Sequence, residues 1–375
     1  MSFHIKIILL WLLLSSSLVM ADQAELLTLQ TATQLAVQDN PNLAQMQARS
    51  VAMATIPLQV GSLPDPVISF NVLNLPVNSF DTAQENMTQL QGGISQAFPF
   101  PGKLALREQA ALYEADAAAQ NVTEARWKLQ RDVKSNWRSL FYLDRALEIT
   151  TANKNLLRQF VKIAQTKYEV GEGLQQDVLL AQLELSKLLD NEFILSDARR
   201  NVTSRLNVLL NQSAITVLTL PKKVDDSLPV LLAETALYQL AEQYRALLMS
   251  QRQVVNAAQS RLDLAKKGYY PDFKVGAYYG GRDDTLKGQE RDDFLSLKLS
   301  MTVPIFADRK QSQAIAQRSS ELMQQKHALK DEWNRIRAQI SQAHSNFQRA
   351  NNQVLLFKTG IIPQARQTVA SRLSG

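Results

Sequence analysis

Residues 294–303 read Phe-Leu-Ser-Leu-Lys-Leu-Ser-Met-Thr-Val. From Leu295 every second residue is apolar, namely Leu297, Leu299, Met301 and Val303, while Ser296, Lys298, Ser300 and Thr302 fill the gaps. A strict period of two puts all the apolar side chains on one side of an extended chain and all the polar ones on the other. Pro304 ends the run. Upstream, Tyr278-Tyr279-Gly280-Gly281 closes a second β-like segment, and the polar stretch from Arg282 to Asp292 reads as an exposed hairpin loop between the two. Such a strand pair suits either a two-faced sheet on a soluble domain or a wall between lipid and water.

Working outward, the same punctuation recurs about two hundred residues earlier. Pro64-Asp65 matches Pro271-Asp272 at an offset of 207, and Pro99 matches Pro304 at 205. Trp127 matches Trp333 at 206, as does Arg131 with Arg337. One register aligns a helix, two strands and a second helix, which is the mark of a duplicated structural unit. In the first unit residues 29–61 are helical in pattern and interrupted at Asp39-Asn40-Pro41, because proline cannot keep its helical hydrogen bond. Strand-like segments follow around 67–75 and 87–98.

From Lys103 to about Tyr168 there is no proline and no glycine. At ~1.5 Å per residue a helix of that extent is on the order of 100 Å long, too long for a compact domain. Its first third is rich in alanine. Leu129, Val133, Asn136, Leu140, Leu143 and Leu147 then follow a 4-3-4-3-4 spacing, a coiled-coil seam with one polar position. Gly171-Glu172-Gly173 reads as a turn, after which Val178, Ala181, Leu185 and Leu188 form the seam of a returning helix that ends near Leu210. The expectation is a long antiparallel helical hairpin with a glycine tip, at which Glu172 and Asp177 face either a lumen, a partner or plain solvent.

Composition narrows the chemistry. The 375 residues hold 41 Lys plus Arg against 35 Asp plus Glu, a net charge of +6. There is no cysteine, so disulfides, thiol catalysis and thiolate-bound metals are excluded. Three histidines, His4, His327 and His344, leave little for metal or acid–base constellations. His327 and Asp331 share a helix face, but no third ligand accompanies them and solvated surface is the expected role. The methionines show no clustered spacing and read as packing. No nucleophile–base pair or phosphate loop is present, no cofactor is expected, and the basic excess forms no aromatic-interleaved patch for nucleic acid. The chain does not read as an enzyme.

Residues 1–21 read as a signal peptide: Lys6, the apolar run Ile7–Leu14, three serines, and Val19-Met20-Ala21 before Asp22. The apolar run is well short of the ~20 residues that span a bilayer. No later segment is apolar enough for a transmembrane helix, so any entry into a membrane must use strands.

These motifs together resemble the TolC-type outer-membrane efflux channel family. The carriers are Leu35-Ala36-Val37-Gln38-Asp39-Asn40-Pro41-Asn42-Leu43, Leu63-Pro64-Asp65-Pro66, Gln96-Ala97-Phe98-Pro99-Phe100-Pro101-Gly102-Lys103, Tyr168-Glu169-Val170-Gly171, Asp177-Val178-Leu179-Leu180-Ala181-Gln182 and Tyr270-Pro271-Asp272-Phe273. Their order and duplication cover the chain from Leu29 onward, and the Phe-Pro-Phe-Pro-Gly-Lys segment is most similar to the heavy-metal branch. The resemblance implies a mostly α fold with a small β part, divided into a first repeat over 22–220 and a second over 221–375. It implies a homotrimer in which four strands per chain build a twelve-stranded barrel in outer-membrane lipid of a Gram-negative cell, joined to a helical periplasmic tunnel.

It further implies a passive duct served by a periplasmic adaptor and an inner-membrane resistance–nodulation–division pump. Pro64, Pro66, Pro99, Pro101, Gly102, Pro271 and Pro304 would make the strand–helix junctions. Leu295, Leu297, Leu299 and Met301 would face lipid, and Gly171, Glu172, Gly173 and Asp177 would form the periplasmic tip. Relative to the family pattern the chain is C-terminally truncated, since Ser374-Gly375 falls near the second tip and the second returning helix is missing. A protomer of that kind is expected not to form a sealed, gated tunnel. The rival readings are a periplasmic coiled-coil adaptor or scaffold, which needs no duplicated strand pairs, and a non-functional channel remnant.

Overall fold

The computed structural model describes residues 26–224 and 227–373; the expected signal peptide lies outside them. In chain order the elements are α1 (Leu29–Asp39), α2 (Pro41–Gly61), β1 (Val67–Leu73), β2 (Gln89–Phe98), α3 (Lys103–Glu169) and α4 (Gln175–Leu209). The series then restarts with α5 (Glu234–Tyr244), α6 (Ala246–Lys266), a short 3₁₀ turn, β3 (Phe273–Gly281), β4 (Phe294–Met301), α7 (Gln311–Leu356), a π turn (Phe357–Ile361) and α8 (Ile362–Leu373). The duplication is visible in the lengths: α1 and α5 have 11 residues each, and α2 and α6 have 21 each.

The chain divides into two compact units that cut across these repeats. The first takes its described residues from the chain up to Asn40 and from Leu129–Ser227. Its centre is the seam of α3: Val133 and Leu140 are fully buried and Leu129 and Leu143 nearly so. Ala32 and Ala36 of α1 and Leu206 and Leu210 at the end of α4 belong to the same buried set. Trp137 lies one residue off the seam, yet it is buried and its indole N–H donates to the Leu27 carbonyl at 2.8 Å. Asn136, the polar seam position, turns its amide back to the Asp132 carbonyl one turn earlier at 2.8 Å. Farther along the hairpin the seam is only half-buried, and ion pairs replace packing: Arg199 to Asp144 at 2.6 Å and Lys154 to Glu192 at 2.5 Å.

The hairpin turns as its glycines require. Gly171 has φ +77°, a left-handed conformation that costs a side-chain-bearing residue about 1 kcal/mol or more. The Glu172 N–H donates to the Lys167 carbonyl at 2.8 Å and the Gly171 N–H to the Tyr168 carbonyl at 3.1 Å. That pair of bonds closes the last turn of α3 and satisfies its end carbonyls.

The second unit, Pro41–Lys128 with Leu228 onward, holds all four strands in one antiparallel sheet of order β1-β2-β3-β4. The strands lie close to their expected ranges, but β1 stops at Leu73 and β2 starts at Gln89. Asn74 takes a left-handed φ of 56°, and its amide donates to the Met87 carbonyl at 3.0 Å while Thr88 donates back to the Asn74 carbonyl at 2.8 Å. These side-chain bonds replace the next rungs of the ladder. In the same unit α6 packs on α7 through Ala258, Leu262 and Leu322. The helical run from α7 loosens into the π turn, which contains Thr359, the residue four positions ahead of Pro363 whose carbonyl the proline's missing N–H cannot serve.

Candidate functional site

The sheet registers decide how its surface is built. Ile68 of β1 lies opposite Ile94 of β2, which lies opposite Ala277 of β3 and then Leu297 of β4. The row above reads Phe70, Gly92, Tyr279, Leu295, and the rows below add Val275 with Leu299 and Phe273 with Met301. One entire face is therefore apolar across all four strands. It is also uncovered: Phe70 is 84% exposed and Leu297 81%. Gln96 is the one polar side chain on this face, and its amide is occupied by the Pro64 carbonyl at 2.6 Å and the Ala97 carbonyl at 3.0 Å. A contiguous apolar surface of this extent marks a contact with lipid or protein.

The opposite face is wet, with Ser69, Ser95, Ser296, Lys298 and Ser300 among its positions, and no acidic residue stands in any of the four strands. Tyr278 lies flat on this side. A Cβ at Gly93 would come within 2.1 Å of its ring and one at Gly276 within 2.8 Å, so both positions need glycine to let the ring rest on the backbone. Val67, Leu73, Ala97 and Phe294 are its apolar positions, and the Arg282 guanidinium covers the Phe294 ring at 4.0 Å.

At one end of the sheet two loops are stitched together by arginines. Arg291 donates to the carbonyls of Ala83, Glu85 and Asp283 at 3.1–3.3 Å and to Asn86 Oδ1 at 2.9 Å. Arg282 adds the carbonyls of Asn86 at 3.2 Å and Asp292 at 2.6 Å. At the other end the strands meet the helices, and here the predicted junction residues come together. Pro99, Pro101 and Gly102 join β2 to α3, with Gly102 at φ +88°. Pro64 and Pro66 precede β1, Pro271 precedes β3 and Pro304 follows β4.

The junction is held by a clamp between the repeats. Lys103, almost fully buried at the first residue of α3, places Nζ 2.7 Å from Asp272 Oδ1 and 2.9 Å from the Tyr270 carbonyl. The Phe100 N–H donates to the same carboxylate at 2.8 Å. The Phe100 and Tyr270 rings stack at 4.5 Å, with Lys267 Nζ over both at 5.6 and 5.4 Å. Partial burial pushes the Asp272 carboxyl up, but the Lys103 ammonium, the Phe100 N–H and nearby Arg107 outweigh it and hold it below the usual aspartate value. The motifs Phe98–Lys103 and Tyr270–Phe273 were legible in sequence; the pairing of Lys103 with Asp272, 169 positions apart, was not.

The other candidates separate. Gly171, Glu172, Gly173 and Asp177 lie in the first unit, with Glu172 and Asp177 exposed and Asp177 in the first turn of α4, where its charge favours the helix N-terminus. His327 is exposed, and Asp331 is paired with Arg335 at 2.6 Å. His344 lines an apolar groove of about 600 Å³ between α5 and α7. Among the described residues no group of three or more His, Asp or Glu is arranged to hold a metal, and no helix is long and apolar enough to cross a membrane.

Mostly long helices, two strand pairs in one four-stranded sheet and an uncovered apolar face make up a fold that solved structures share. The outer-membrane channel OprN superposes with a TM-score of 0.74 at 15% identity, covering 92% of this chain and 80% of its own. The outer-membrane protein VceC of Vibrio cholerae gives 0.74 at 16%, covering 90% and 83%. The channel protein CusC gives 0.67 at 13%, covering 92% and 83%. No protein-family model matches the chain, and no curated protein does.

Proposed function

We propose that the chain is the outer-membrane duct of a tripartite efflux system, built as a homotrimer whose twelve strands close one barrel. The observation that carries this reading is the apolar face that continues across β1, β2, β3 and β4 with Gln96 as its polar interruption. Lipid tolerates a sheet only when every edge is paired, and four strands cannot close alone. The shared fold with OprN, VceC and CusC supports it. In this reading residues 22–220 and 221–375 are two copies of one ancestral unit, residues 1–21 direct export, Leu295, Leu297, Leu299 and Met301 face lipid, and the wet face lines the bore. The helical hairpin with Gly171, Glu172, Gly173 and Asp177 points into the periplasm toward an adaptor and an inner-membrane pump. The duct performs no chemistry and binds no cofactor. The similarity of Phe98–Lys103 to the heavy-metal branch favours metal cations as cargo.

Expression of the chain followed by outer-membrane fractionation, chemical cross-linking and planar-bilayer recording tests this. Trimers in the outer-membrane fraction that conduct support the duct. A soluble monomer overturns it and revives the adaptor reading, whose weakness is that it leaves the apolar face without a partner. Restoration of copper, silver, cobalt, zinc or cadmium tolerance in a strain lacking its own duct tests the cargo.

A further inference from the structure

The clamp between Lys103 and Asp272 joins the end of β2 to the start of β3, two strands that are neighbours in the sheet. The duplication supplies a second copy of each half. In the register that aligns Trp127 with Trp333 and Arg131 with Arg337, Lys103 corresponds to Arg309 and Phe100 to Phe306. In the register of the Pro-Asp pair, Asp272 corresponds to Asp65 and Tyr270 to Leu63. The basic and aromatic half therefore recurs after β4, and the acidic half recurs before β1. These are the two edge strands, at opposite sides of the sheet.

Within one chain the second clamp stays open. Lys103 is nearly buried, whereas Arg309 and Asp65 are exposed and neither side chain carries an ion pair among the described residues. Phe306 is 69% exposed and Leu63 50%. Four strands place β1 and β4 three inter-strand steps apart, about 14 Å, so the halves cannot meet across their own sheet.

We propose that the second clamp closes between chains: Arg309 and Phe306 of one copy grip Asp65 and Leu63 of the next, as Lys103 and Phe100 grip Asp272 and Tyr270 within a copy. The inference rests on the duct reading and deepens it by assigning the seam between protomers. The duplication also sets the register of that seam. Transferring the β2–β3 pairing onto β4 by the strand offset of 205 that aligns Pro99 with Pro304, and onto a neighbouring β1 by the offset of 207 that aligns Pro64 with Pro271, places Met301 opposite Ile68, Leu299 opposite Phe70 and Leu297 opposite Val72. All six belong to the apolar face, Val72 standing two residues beyond Phe70 on β1 and opposite Leu90. A slip of one residue would turn every side chain over, so of the neighbouring registers this strand-aligned one continues the apolar surface across the seam. Charge is complementary as well, with a guanidinium on one edge and a carboxylate on the other.

The chain has no cysteine, so introduced pairs report cleanly. Full-length chain carrying Ile68→Cys and Met301→Cys should oxidise to covalently linked trimers in the outer membrane. Ile68→Cys with Ser300→Cys, which lie on opposite faces, should not. An intrachain disulfide is excluded by the same span, since bridged Cα atoms lie within about 7 Å. On the linkable background, Asp65→Arg alone and Arg309→Glu alone should each lower the trimer yield several-fold, and the two together should restore it. Cross-linking in the Ser300 register, or charge reversals that leave the yield unchanged, would overturn the clamp while leaving the trimeric duct standing. Chains that never associate in the membrane would overturn both.

Discussion

α1 and α5 are counterparts of equal length, yet they live in different surroundings. On α1, Ala32 and Ala36 are fully buried, in a unit whose core also takes Leu206 from α4 and Leu210 just after it. On α5, the corresponding Leu237 and Ala241 line an open groove with Leu240, Tyr244, Ile340 and Phe347. The apolar pattern is present in both repeats. What differs is the partner: among the described residues nothing stands to α7 as α4 stands to α3. A helical face shows what it is able to bury, and only the element laid across it decides whether burial happens.

The largest expected effect tests this contrast directly. Leu140→Ala, in the fully buried seam of α3, should cost about 3 kcal/mol or more because the cavity has no room to collapse. Leu240→Ala, on a side chain 45% exposed in the open groove, should cost well under about 1 kcal/mol. Amide hydrogen exchange reads each locally, as faster exchange around 129–147 in the first case and little change in α5 and α7 in the second. Equal losses would mean that the groove is covered in the assembled protein and would break the comparison.

A smaller effect sharpens it. Gly171→Ala forces a side chain into φ +77° and should destabilise the tip by about 1 kcal/mol. Faster exchange should be confined to the adjoining ends of α3 and α4, with α7 unaffected. The smallest effect belongs to the junction of the second unit. Asp272 has a lowered folded-state value, so its contribution is complete above the ordinary aspartate range and disappears as pH falls through the lowered value. After correction for intrinsic rates, amides at the start of α3 should lose protection in acid. Asp272→Asn should remove that acid-dependent step, and the tip should not show it.

Much of this architecture is legible in the amino-acid sequence, for reasons that are local. β4 alternates without a fault, the Pro-Asp pair recurs in register, and the glycines at 171 and 173 sit where a helix of more than sixty residues must end. The other strands were harder to read. Gly92, Gln96, Ala277 and Gly281 dilute the apolar face in β2 and β3, so only the registers show that it is continuous. Trp137 escaped because it lies off the 4-3 seam, and a large ring that needs one carbonyl partner leaves no periodic trace. The clamp was invisible for another reason: its lysine and aspartate are far apart in sequence, and neither motif names the other.

Tyr278 carries a last consequence. A ring lying along the backbone adds thickness to a wall without intruding on the space beside it. An alanine at Gly93 or Gly276 would lift that ring off the sheet, and in the proposed duct of three protomers three phenols would then stand inward at the same height. In that proposed assembly two absent methyl groups per chain would set the clear width of the opening, and a substitution of one carbon at either place would act as a constriction.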